Sequence, residues 1–183
     1  TSVDPCLSVK LLRYLAGLLV FLLATAVTPA QHYEAGQAVA DIITSPSDDR
    51  DYLAHRLKNG LRVLLISDPH TDKAAAALDV RVGSGSDPEE RPGLAHLLEH
   101  MLFLGTERYP EAGEYQAFIQ QHGGSDNAYT MPDHTNYYFD IQSQYLRGAL
   151  ERFSQFFVAP LFNPKFIERE RGVVHAEFSA KLK

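Results

Sequence analysis

The stretch Gly93–Gly105, GLAHLLEHMLFLG, restricts this chain more than any other. Its leucines recur at helical spacing, so it reads as a helix that packs against a core. Yet it carries His96, Glu99 and His100 within five residues. Residues four apart share one helix face, about one turn above each other. The two imidazoles therefore project together, with Glu99 to the side of the same face. Three titratable groups on an apolar stripe are costly to bury unless something compensates them. A shared cation does so, whereas the competing reading makes them ordinary core or half-exposed histidines. With each residue near 5% in frequency, this H-x-x-E-H order arises by chance roughly 0.02 times in such a length. That favours the cation.

Two histidines on one metal imply a third ligand elsewhere. Zinc in hydrolytic sites takes three protein ligands and keeps one position for water, whose pKa falls to near 7. Glu99 is then placed to take that water's proton and pass it to a leaving amine. In FIERERGVVHAEFSAKLK, residues Phe166, Glu170, Val173, Val174 and Glu177 fall on one helical stripe. Two carboxylates on a buried stripe require a cation nearby. Glu177 is expected as the ligand and Glu170 as its supporting partner. The alternative is a solvated helix face. His175 and Glu168 are expected on the exposed side, and His122, His134 and Asp126 are weaker ligand candidates.

The rest of the chain reads as one α+β layer, a largely antiparallel sheet backed by helices on one face. Asn59-Gly60 marks a hairpin in YLAHRLKNGLRVLLISDP, and AAAALDVRVGSGS alternates as a further strand through Val82. Pro92 suits the first turn of the histidine helix and Gly105 its C-terminal cap. A second helix lies in EAGEYQAFIQQHGG, a third in YLRGALERFSQFFVAP, and Pro164 starts the last. SDNAYTM and TNYYFDIQ flank a turn at Pro132-Asp133. If the first of these strands is a free edge, it could bind an extended peptide, Asn127 giving an amide contact and Ala128 its backbone. A plain surface edge is the equal alternative.

Residues 1–30 read as a signal peptide, with Lys10 and Arg13 before the apolar run YLAGLLVFLLATA. The run is short for a spanning helix, which needs roughly 20 residues. Cleavage is expected near Ala26 or Ala30, an uncleaved anchor being the competitor, with no stable membrane insertion after removal. Residues 31–50 read as a linker and 51–183 as a domain incomplete at its C-terminus. The one cysteine, Cys6, lies in the leader, so the exported part has no thiol chemistry. Beyond residue 30 there are 15 basic and 22 acidic residues, net −7, with no basic block, which argues against a nucleic-acid partner.

GLAHLLEHMLFLGTERYP, SDNAYTMPDHTNYYF and ERERGVVHAEF together resemble the insulinase/pitrilysin family of zinc metallopeptidases, the inverzincins. The likeness is colinear from about Tyr52 to the end, and the 77-residue step from His100 to Glu177 suits that family's distant glutamate ligand. The resemblance implies one zinc ion on His96, His100 and Glu177, Glu99 as general base, Glu170 as supporting glutamate, and Asn127 and Ala128 on the substrate strand. It implies a metalloendopeptidase for peptides or small unfolded proteins, or else a precursor-specific processing peptidase. A non-catalytic peptide-binding or assembly domain of the same family is the rival, against which the intact Glu99 argues. Family members have a C-terminal half that closes a chamber and adds a tyrosine and an arginine near the substrate. The stretch here resembles the first of four homologous domains, so alone it is expected to be inactive or nearly so. With its export signal and acidic charge it most resembles the periplasmic pitrilysin (protease III) branch.

Overall fold

The computed structural model describes residues 37–38 and 42–181, so the leader and its cleavage region lie outside the described residues. The backbone divides into two units, one through Asp68 and one from Pro69.

The first unit is a three-stranded antiparallel sheet of β1 (Gln37–Ala38), β2 (Asp51–Arg56) and β3 (Arg62–Ser67), in that order. β2 and β3 form the hairpin expected at Asn59-Gly60, in full register from Asp51↔Ser67 to Arg56↔Arg62. Gly60 takes φ +88, a left-handed conformation that a side chain disfavours, while Asn59 Oδ1 accepts from the Leu61 amide at 3.1 Å.

The second unit holds β4 (Lys73–Val80), α1 (Leu94–Leu102), α2 (Glu114–Gln121), β5 (Ser125–Thr130), β6 (Thr135–Gln142), α3 (Leu146–Val158) and α4 (Pro164–Lys181). Its sheet runs β4-β6-β5, both pairs antiparallel. β6 is central and strictly alternating: Thr135, Tyr137, Phe139 and Ile141 are buried, and their neighbours are not. One face of the sheet is thus apolar. The helices cover it, with Leu102 of α1, Tyr115 and Ile119 of α2, and Ala149, Phe153 and Phe156 of α3 closing the core. The aromatic rings meet edge to face, as Phe139–Phe153 at 5.3 Å and Tyr115–Phe156 at 4.8 Å. This is the antiparallel sheet with helices on one face that the sequence predicts. Among the described residues no helix is long and apolar enough to cross a membrane.

Three boundaries differ from expectation. β4 stops at Val80, not Val82. α1 starts at Leu94, because Gly93, at φ +88, is its N-cap and leaves Pro92 outside the helix. The same helix ends at Leu102, three residues before Gly105, whose φ of +115 serves the next loop. There a Cβ on Gly105 would stand 2.7 Å from the Pro110 carbonyl, so the close approach of two loops requires glycine.

Candidate metal centre

α1 presents His96 and His100 on one face, as their spacing requires. Their Nε2 atoms stand 3.2 Å apart with the rings nearly perpendicular, at 79°. α4 packs against this helix and brings Glu177 to them: its Oε2 lies 3.4 Å from His96 Nε2 and 3.9 Å from His100 Nε2. Two ligand atoms at about 2.0–2.2 Å from a tetrahedral zinc are separated by roughly 3.4 Å. Two neutral nitrogens and one carboxylate at these separations fit such an ion. Among the described residues, His96, His100 and Glu177 are the one group of three or more His, Cys, Asp or Glu side chains that could share a metal.

His100 is oriented from behind. Its Nδ1 is 3.1 Å from Glu170 Oε2, and Arg169 donates to the other oxygen, Oε1, at 2.7 Å. Burial works to raise the Glu170 carboxyl, but the bonds to His100 and Arg169 outweigh it and hold the group below its ordinary range. A carboxylate accepting Nδ1–H leaves the Nε2 lone pair pointing at the site. Glu99 directly precedes His100 on the same helix. It is buried, and its Oε2 accepts from the Thr130 hydroxyl at 2.5 Å.

The helix stripe is not buried along its whole length. Glu170 and Val174 are covered, but Val173 is exposed and the Glu177 side chain is 44% accessible. The stripe expected to be buried is therefore covered only in part. Glu177 lies about 10 Å along the axis from Glu170, while α1 has only nine residues with which to cover the longer helix. An accessible third carboxylate leaves the triangle open to solvent on one side. As expected, His175 and Glu168 are exposed.

β5 is an edge strand, paired to β6 alone in its sheet. Asn127 is exposed on it, Ala128 is half-buried, and Asn127 Oδ1 accepts from the Ala128 amide at 2.9 Å. The weaker ligand candidates go elsewhere. His122 Nδ1 is 2.7 Å from the Phe118 carbonyl, and its ring sits 3.8 Å from that of Tyr145. His134 lies beside Asp133 at 2.8 Å, and Asp126 faces inward on β5.

Two contributors escape a reading of the sequence. Asp87 accepts from the amides of Gly93 at 2.7 Å and Ala95 at 2.8 Å, so it caps α1 from six residues upstream of the N-cap. A cap is sought at the position preceding the helix, and glycine stands there. Thr130 is the other; the only hint was its even register with Asp126 and Ala128 on the inward side of β5.

A sequence model described as insulinase (peptidase family M16) matches residues 62–181. Insulin-degrading enzyme of Mus musculus is 54% identical over 136 residues, covering 74% of this chain and 13% of that enzyme. A putative zinc protease of Schizosaccharomyces pombe is 47% identical over 147 residues, or 80% of this chain and 15% of its own length. The crystal structure of pitrilysin matches with a TM-score of 0.76 at 42% identity, covering 80% of this chain and 16% of that one. The chain thus spans a small fraction, 13 to 16%, of the proteins it matches.

Proposed function

The chain belongs to the insulinase family of peptidases, and on that premise we propose that it carries the metal centre of a zinc-dependent metalloendopeptidase acting on peptides or small unfolded proteins. The observation that carries this reading is the triangle of His96 Nε2, His100 Nε2 and Glu177 Oε2, with sides of 3.2, 3.4 and 3.9 Å. These three side chains would hold one zinc ion, which when bound lowers the pKa of a water to near 7 and polarises a carbonyl.

The chain's own residues do the remainder. Glu170 accepts Nδ1–H of His100 and keeps that ring turned toward the site. Glu99 takes a proton from the attacking water and returns it to the departing amine. Burial of Glu99 beside the histidine pair keeps bulk water from competing for its oxygens. The free edge of β5, with Asn127 and Ala128, receives an extended peptide as an added strand and so presents its carbonyls at fixed spacing.

The intact protein would use this stretch, residues 51–183, as the first of four homologous domains, behind a linker at 31–50. Its C-terminal half would complete the chamber, so the chain alone would turn substrate over slowly or not at all. Lys10 and Arg13 before an apolar run support removal of a leader and export, with the periplasm as the destination.

Glu99→Gln in the full-length protein tests the assignment. The variant is expected to hold one zinc per chain and to lose cleavage by about 10²- to 10⁴-fold. Cleavage at the unaltered rate would remove Glu99 as the base.

A further inference from the structure

We propose that Thr130 is the positioning residue of the general base, so that the strand offered to substrate also aims Glu99. The inference rests on the metallopeptidase reading above and names a residue that this reading does not require.

Thr130 ends β5 and pairs with Thr135, the first residue of β6. Its Oγ1 lies 2.5 Å from Glu99 Oε2 and 3.4 Å from Thr135 Oγ1. A threonine hydroxyl has one proton to donate. Thr135 gives its proton to the Val82 carbonyl at 2.8 Å and is almost wholly buried, so it has none for Thr130. The Thr130 proton therefore goes to the carboxylate. Glu99 Oε2 is pinned, and Oε1 is the oxygen left to receive a proton. A base that must meet its proton at hydrogen-bond distance gains from having one oxygen fixed.

The support behind Thr130 is a set of backbone hydrogen bonds. The turn after it closes with Met131 N to His134 O at 2.8 Å, and the loop before α1 bonds onto it through Ser84 N to Met131 O at 2.9 Å and Gly85 N to Pro132 O at 2.8 Å. This contact is so close that a Cβ on Gly83 would meet the Met131 carbonyl. Asn127 and Ala128 precede Thr130 by three and two residues, about 7–10 Å along the strand. One strand thus sets the distance between the bound peptide and the base, with no loop between them.

The test compares Thr130→Val, which keeps the shape and the strand preference but loses the hydroxyl, with Thr130→Ser, which keeps the hydroxyl but loses the methyl. In the full-length protein the expected order of kcat follows the hydroxyl. Serine stays near the unaltered rate and valine falls at least about 10-fold, with KM and zinc content unchanged in both. A second reading needs no turnover: in a crystal structure of the Thr130→Val chain, the Glu99 carboxylate should leave its present position. The inference is overturned if valine retains the full kcat, if the rates follow the methyl so that serine falls and valine does not, or if Glu99 stays in place without the hydroxyl. Glu99→Gln separates the two levels. If it is inactive while Thr130→Val is fully active, only the role of Thr130 falls. If Glu99→Gln is itself fully active, the reading of the site falls first.

Discussion

Glu170 stands 3.1 Å behind His100, on the opposite side of the ring from His96, so the imidazole is gripped at Nδ1 and open at Nε2. The carboxylate is in turn held by Arg169. A chain of contacts two residues deep therefore sets the tautomer and tilt of one ring, while Glu177 meets the ring pair directly from the far end of the same helix.

This arrangement separates two carboxylates by their effect on metal affinity. Glu170→Gln should weaken zinc binding by about 10- to 100-fold, the usual cost of losing an outer partner. Glu177→Ala should weaken it more than that, since a ligand itself is gone. Competition with a chromogenic chelator measures both. Equal affinities for the Glu177→Ala variant and the unaltered chain would remove Glu177 from the ligand set.

Asp87→Ala should destabilise the fold by about 0.5–2 kcal/mol, because it leaves the amides of Gly93 and Ala95 without their cap at the start of α1. Chemical denaturation reads the change. Asp87→Asn, which can still accept through its amide oxygen, should recover part of the loss, and identical midpoints for all three chains would refute the capping role.

Burial raises the Asp126 carboxyl above its ordinary value of 3.8. A group that holds its proton more tightly when folded gives stability that is complete below the unfolded pKa and lost as pH rises through the folded one. At neutral pH the ionised side chain is thus a cost, and Asp126→Asn should melt at a higher temperature. The gain should shrink as the buffer is taken below pH 4. A variant less stable at pH 7 than the unaltered chain would contradict this.

Much of the fold was legible because its elements carry local signals. The alternation of TNYYFDIQ marked β6, Asn59-Gly60 the hairpin, and Pro164 the start of α4. The His96–Glu99–His100 spacing places the two rings on one face, because helix geometry alone dictates it. What was illegible depends on contacts across the chain. Asp87 reaches past six residues to cap a helix, and Thr130 meets Glu99 only because β5 lies beside α1. Helix periodicity correctly put Glu177 in line with Glu170, but it carries no information on where the covering helix ends. The exposure of Glu177 is set by where α1 stops, which only the tertiary packing shows. Gly93 shows the same limit at shorter range: a left-handed glycine after Pro92 shifts the helix start by moving the proline outside.

The most direct measurement is a crystal structure of the chain grown with zinc, with anomalous scattering recorded on both sides of the zinc absorption edge. A single strong peak is expected, bonded to His96 Nε2, His100 Nε2 and Glu177 Oε2 at about 2.0–2.2 Å, with a solvent oxygen completing the tetrahedron. A peak absent from that triangle, or one held by the two histidines with the Glu177 carboxylate turned away, would contradict it.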